Sequence, residues 1–133
     1  MESFRTGARV VRINVNDDGY CVELQVSNDA WIKAFYEYLK DIQEKNIEHE
    51  QAVRDADVDT VIEHLLEFDE EIKAGFIKLF GDDSYKETFG SDLVGVEYIA
   101  EFLEACIPFI EKRLDERKKA YDKYSPSKTG GAR

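Results

Sequence analysis

The feature that most limits what this chain can become is the spacing of its apolar residues, which recur every three or four positions through three long segments. Trp31, Ile32, Phe35, Tyr36, Leu39 and Ile42 mark the first. Val58, Val61, Ile62, Leu65, Leu66, Ile72, Phe76, Ile77 and Phe80 mark the second, interrupted at Asp69, and Val96, Ile99, Phe102, Leu103, Cys106, Ile107, Ile110 and Leu114 mark the third. A stripe of this period is the buried face of an α-helix, so each segment must find something to cover it. Ser27, Asn28 and Asp29 supply capping side chains ahead of the first stripe, and the spacing predicts helices over about 28–48, 57–80 and 92–124. Asp57 or Asp59 is expected to cap the second and Gly81 to end it; Ser91 or Asp92 opens the third. Residues 84–89 read as a short helical turn closed by Gly90. Pro108 lies inside the last stripe, where it removes a backbone donor and crowds the carbonyl four residues earlier, so a kink or a break is expected near 105–108.

Ahead of the helices the period changes to two. Val11, Ile13 and Val15 alternate with Arg12 and Asn14, and Val22, Leu24 and Val26 alternate with Glu23 and Gln25, with Asn16-Asp17-Asp18-Gly19 between them. That is a β-hairpin over 9–26. Each strand has one apolar face and a lone ribbon is marginal in water, so the hairpin must lie on the helices. The expected architecture is α+β: an N-terminal β-hairpin packed on a bundle of three to four α-helices, forming a single domain over 9–124. A flexible N-terminus (1–8) and a disordered basic tail (125–133) are expected to flank it.

A length of 133 residues with 43% hydrophobic residues suits one domain with its own core. The net charge of −11 is unevenly placed: +2 over 1–15, −18 over 16–111 and +5 over 112–133. An acidic body repels nucleic acid and anionic membranes and favours basic partners. Cys21 and Cys106 lie far apart without CxxC spacing, as reduced thiols of the cytoplasm do. No apolar run reaches the length of a membrane span, and Met1 to Arg5 lacks a signal core, so neither secretion nor a membrane is expected.

The spacing of reactive residues argues against catalysis. Asp55-x-Asp57-x-Asp59 copies the first half of a calcium loop, but Thr60 stands where that loop needs glycine and Leu66 where it needs a bidentate glutamate, so these acids read first as helix caps and only weakly as metal ligands. His49 and His64 lack the Glu-x-x-His setting of a di-iron site and read as a surface residue and a partly exposed or hydrogen-bonded one. No serine sits in a G-x-S-x-G elbow, Cys106 falls on an apolar stripe, and Gly90 and Gly95 are not followed by the Lys-Ser/Thr of a phosphate loop. The run Glu67, Asp69, Glu70, Glu71 reads as a solvated helix face. Trp31, Phe35, Phe76, Phe80, Phe102 and Phe109 sit at core spacing, whereas Phe4, Tyr38 and Phe68 fall off the stripes and are candidates for a partner surface. Arg113, Arg117, Lys118, Lys119 and Lys123 offset the negative end of a helix dipole; Lys118 and Lys119 with Tyr121 and Tyr124 are also candidates to grip an acidic partner.

The order of elements carries a resemblance. A hairpin from Asn14 to Val26, a helix from Trp31, an acidic middle helix ending in Phe80-Gly81, a Tyr85-x-x-x-Phe89-Gly90 turn and a last helix running into Arg117-Lys118-Lys119-Ala120-Tyr121-Asp122-Lys123-Tyr124-Ser125-Pro126 together resemble the small tail assembly chaperones of long-tailed phages and prophages of Gram-positive bacteria. The resemblance spans about residues 9–126. It implies a non-virion protein of the host cytoplasm, without catalytic site or cofactor, that binds the tape measure protein and helps tail tube protein assemble around it. Two other readings stay open from the residues alone: an acidic inhibitor that mimics nucleic acid, motivated by the −18 body, and a divalent-metal protein centred on Asp55, Asp57 and Asp59. The charge asymmetry also permits a homo-oligomer, with basic tail on acidic face.

Overall fold

Asn16 organises the first reversal of the chain. In the computed structural model, whose described residues are 10–124, its side-chain oxygen accepts hydrogen bonds from the N–H groups of Asp18 at 3.0 Å and Tyr20 at 3.1 Å. Gly19 takes the left-handed φ of 83° that closes the turn. The strands β1 (Val11–Asn14) and β2 (Cys21–Leu24) therefore pair antiparallel, Val11 opposite Leu24 and Ile13 opposite Val22. The segments 1–8 and 125–133, expected to be flexible and disordered, lie outside the described residues.

Four helices follow: α1 (Asp29–Val53), α2 (Val58–Phe80), α3 (Ser84–Phe89) and α4 (Val96–Tyr124). Their ends follow capping chemistry. Asn28 accepts from the Trp31 N–H at 3.2 Å and Asp57 from the Thr60 N–H at 2.9 Å. Gly81 ends α2 by donating to the Ile77 carbonyl at 2.7 Å, and Gly90, left-handed at φ 66°, ends α3.

Three details differ from the periodic pattern. α1 runs on to Val53 rather than stopping near 48, because the first half of α2 packs beside its polar end: the His49 ring stacks on Phe68 with centroids 5.1 Å apart. α4 starts at Val96 rather than 92. The preceding loop is held by tertiary bonds instead, with the Val94 N–H donating to the Tyr85 hydroxyl at 2.8 Å and Lys73 Nζ to the Asp92 carbonyl at 2.6 Å. Finally, the expected break at Pro108 does not occur. Pro108 and Glu104 are both exposed, so the carbonyl that loses its partner lies on the water side, where it is readily hydrated.

α1 and α2 are antiparallel: Trp31 Nε1 donates to the Leu79 carbonyl at 2.9 Å near one end, and Lys45 pairs with Glu71 at 2.8 Å toward the other. α4 runs in the same sense as α2 and opposite to α1, with the Phe102 ring 5.7 Å from both Phe76 and Phe80 and Arg117 ion-paired with Asp29. The hairpin lays Val22, Leu24 and Val26 on this layer, and all three are buried. Phe76 is the hub, its ring lying 4.6 to 5.7 Å from those of Phe80, Tyr85, Phe89 and Phe102. Asn16 Nδ2 donates to Glu87 Oε2 at 2.5 Å and ties the hairpin turn to α3. Among the described residues no helix is long and apolar enough to cross a membrane.

Candidate functional site

The face of α2 that buries Ile72 and Phe76 continues backward through Asp69 to Leu65, Ile62 and Val58. α4 covers that face only from Val96 onward, where Glu97 lies close enough to Asp69 to repel its charge. Beyond that level the stripe is uncovered: Val58 is 73% exposed, Ile62 48% and Leu66, beside the stripe, 51%. Ile47 of α1 is exposed on the same arm. Periodicity shows that this face is apolar; whether it is buried depends on where another helix begins.

The arm is strongly acidic. Between residues 44 and 71 eleven Asp and Glu stand against Lys45 and Arg54. Asp69 marks the boundary between the covered and uncovered stripe. Burial pushes its carboxyl above the ordinary carboxylate range, repulsion from Glu97 adds to this, attraction to His49 opposes it, and Glu70 raises it further.

His49 and His64 meet across the two helices, with ring centroids 6.4 Å apart, beside a small cavity of about 170 Å³ whose walls include Lys45, Glu67 and Phe68. Sequence reasoning kept these histidines apart, because only the antiparallel register of α1 on α2 brings positions 49 and 64 level. Phe68, expected on a partner surface, is instead buried under His49. α2 has two packing faces, one toward α4 and one toward α1, and Phe68 belongs to the second.

Tyr38 likewise belongs to the α1–α2 seam. Its hydroxyl donates to the Ile72 carbonyl at 2.6 Å, and burial raises its pKa, with Tyr85 and Asp41 adding to the shift. Phe4 lies outside the described residues. Lys118, Lys119, Tyr121 and Tyr124 are exposed on the last turns of α4; Lys119 pairs with Asp115 at 3.1 Å and Lys123 lies over the Tyr124 ring. Phe109, expected in the core, is 46% exposed.

Asp57 caps α2, Asp59 sits in its first turn and Asp55 precedes it, so the three acids are arranged around a helix start. The hydrogen bonds from Thr60 hold the Asp57 carboxyl below its usual pKa. Among the described residues no three His, Cys, Asp or Glu side chains converge as a metal-binding set. Cys106 is fully buried and its thiol is pushed up to about 12 by that burial, which makes it inert at neutral pH; Cys21 is exposed. Comparison of the chain with protein-family models, with curated proteins and with solved structures gives no match.

Proposed function

We propose that this protein is a non-catalytic binding factor of the tail assembly chaperone kind, which holds the helical tape measure protein and assists tail tube assembly around it in the host cytoplasm. The observation that supports this reading is the uncovered stripe of α2. From Val58 to Asp69 it offers about 16 Å of apolar helix surface, a length that suits the i, i+3, i+4, i+7 anchors of an amphipathic client helix. The surrounding carboxylates would pair with Lys and Arg on the rims of that client and keep the uncovered face soluble. The test is co-purification with the product of a neighbouring long helical reading frame. Binding that disappears in Ile62→Lys, at an unchanged melting temperature, is expected; the lack of such a reading frame, or binding indifferent to Ile62→Lys, sinks the reading.

One observation favours a second reading, the acidic inhibitor that mimics nucleic acid. Glu37, Asp41, Glu44 and Glu48 are all exposed and lie along one face of α1, spaced about 5–6 Å apart along the axis. Displacement of duplex DNA from a basic DNA-binding protein, lost in the combined Asp41→Asn and Glu44→Gln variant, would select this reading over the first.

A further inference from the structure

Two helices of the bundle overrun each other at opposite ends. α2 overhangs at its start: from Val58 to Leu65 its apolar face carries no helix, because α4 joins that face only level with Asp69. α4 overhangs at its end. Its buried face runs through Ile99, Leu103, Cys106 and Ile110, and the same helical spacing continues to Leu114, Arg117, Tyr121 and Tyr124. Ile110 is fully buried, Leu114 is 38% exposed, and Tyr121 and Tyr124 are both 76% exposed. Arg117 pairs with Asp29, the first residue of α1, so the body of the protein ends at that level. From Leu114 to Tyr124 every residue except Asp122 is exposed.

The two overhangs match in length. Val58 to Asp69 rises about 16 Å along α2, and Leu114 to Tyr124 about 15 Å along α4. They are also opposite in charge. Residues 44–71 hold eleven Asp and Glu against Lys45 and Arg54, whereas residues 112–124 hold six Lys and Arg against three Asp and Glu. The placement is finer than these totals. Asp59, Glu63 and Glu70 are exposed and recur beside the α2 stripe at helical spacing. Arg117 and Lys118 flank Tyr121 on the α4 face, while Asp115 lies off that face and is already paired with Lys119. The two overhangs cannot meet within one molecule. Glu97, level with Asp69, and Tyr124 are separated by about 40 Å of continuous helix.

We propose that the α4 overhang of one copy seats on the α2 overhang of a second copy, with Leu114, Tyr121 and Tyr124 on Val58, Ile62 and Leu65 and the basic rim against the acidic arm. Charge complementarity selects the partner, and the matched apolar lengths seat it. Sterics fix the direction. A copy's own α4 already occupies the α2 face from Asp69 on, so an incoming helix must enter past the free tip of the arm and end there. A C-terminal overhang enters in that way only when it runs in the same sense as α2. That is also the sense in which α4 packs on α2 within one chain, so the contact between copies extends the pairing inside each. Two different surfaces meet, and every added copy brings a free stripe and a free overhang. Assembly therefore runs head to tail and does not stop at two chains. The inference rests on the proposed function only in taking the α2 stripe as a seat for a helix; it adds which helix fills that seat when no client does.

Sedimentation of the full chain is the test. The average mass should rise with concentration past that of two chains, and raising salt from about 0.05 M to about 0.5 M should weaken association about tenfold, because the rims are exposed ion pairs. Ile62→Lys disables the stripe and Tyr121→Glu the overhang; both positions are exposed, and Val58→Lys replaces the first variant should it fail to fold. Each variant alone should sediment as a single chain. Mixed, they should form a pair and go no further, since Ile62→Lys keeps its overhang and Tyr121→Glu its stripe. A parent that stays a single chain at every concentration, association indifferent to salt, a variant that associates as the parent does, or a mixture that forms no pair overturns the proposal. A parent that halts at two chains overturns it as well and assigns the contact to a self-matching surface. With no second copy competing for its stripe, Tyr121→Glu should bind the helical reading-frame product at least as tightly as the parent, and weaker binding also overturns the proposal. A single-chain parent that binds that product removes this inference alone; a self-associating parent that binds none removes the proposed function alone.

Discussion

Replacing Gly75 by alanine isolates how tightly α1 and α2 are seated. Glycine inside a helix costs about 1 kcal/mol relative to alanine, so Gly75→Ala would stabilise α2 if nothing stood in the way. Tyr38 does. A Cβ at position 75 would lie 2.9 Å from Tyr38 Cδ1 and 3.4 Å from Cζ, with Cε1 closer still. Unbonded carbons settle at about 3.5–4.0 Å, so the ring must move by roughly an ångström. It is not free to do so, because its hydroxyl is anchored on the Ile72 carbonyl at 2.6 Å. Overpacking costs about 1–3 kcal/mol, loss of the hydroxyl bond about 1 kcal/mol, and the helix preference returns about 1 kcal/mol. The net expectation is a destabilisation of about 1–3 kcal/mol, a fall in melting temperature of about 3–10 °C for a chain of this size. Urea unfolding followed by the fluorescence of the single tryptophan, Trp31 in the same seam, measures it. In a Tyr38→Leu background the same substitution should turn neutral or stabilising. A Gly75→Ala protein more stable than the parent, or an equal cost in both backgrounds, would refute the seating of Tyr38 against Gly75.

Truncation of the aromatic hub, Phe76→Ala, should cost about 3–5 kcal/mol in the same urea assay, since the ring is fully buried among four others. Asp69 holds its proton more tightly folded than unfolded, so its ionisation opposes folding as pH rises above the ordinary carboxylate value of about 3.9. Asp69→Asn should therefore melt higher than the parent at neutral pH, with the gain shrinking to nothing as pH falls back toward that value; a gain independent of pH would contradict the account. The cap at Asp57 has the opposite sign: its lowered pKa adds stability that is present above the unfolded carboxylate value and lost as pH falls through the folded one, so Asp57→Ala should lower the melting temperature at neutral pH and matter little in acid. Thiol titration should label Cys21 at once and Cys106 only on unfolding, and equal rates would place Cys106 outside the core.

Most of the architecture was legible along the chain because it is local. Alternation at Val11 to Val15 and Val22 to Val26, the cap chemistry at Asn28 and Asp57, and the glycines at 81 and 90 act over a few residues, and the hairpin and helices stand where those signals put them. The positions where burial departs from the periodic pattern share a different cause. A single apolar stripe per helix leaves Phe68 and Tyr38 on an outer surface, whereas α2 packs on α1 and α4 with separate faces and both side chains lie in the α1–α2 seam. The amphipathic spacing of α4 points Phe109 to the core, yet it sits on a second face of α4 turned to the hairpin. The histidine pair at 49 and 64 carries no sequence signal, since it exists only once distant segments are in register.

By itself the sequence determined the kinds and order of elements, the acidic body and the lack of any recognisable catalytic spacing, because periodicity, capping and charge are written in neighbouring residues. The tertiary structure alone decided which apolar residues are covered. α4 begins level with Asp69, so the identical stripe on α2 is core at Ile72 and Phe76 and open surface at Val58 and Ile62. Burial belongs to pairs of elements and not to either one, and the start of α4 is set by the loop that Tyr85 and Lys73 hold in place.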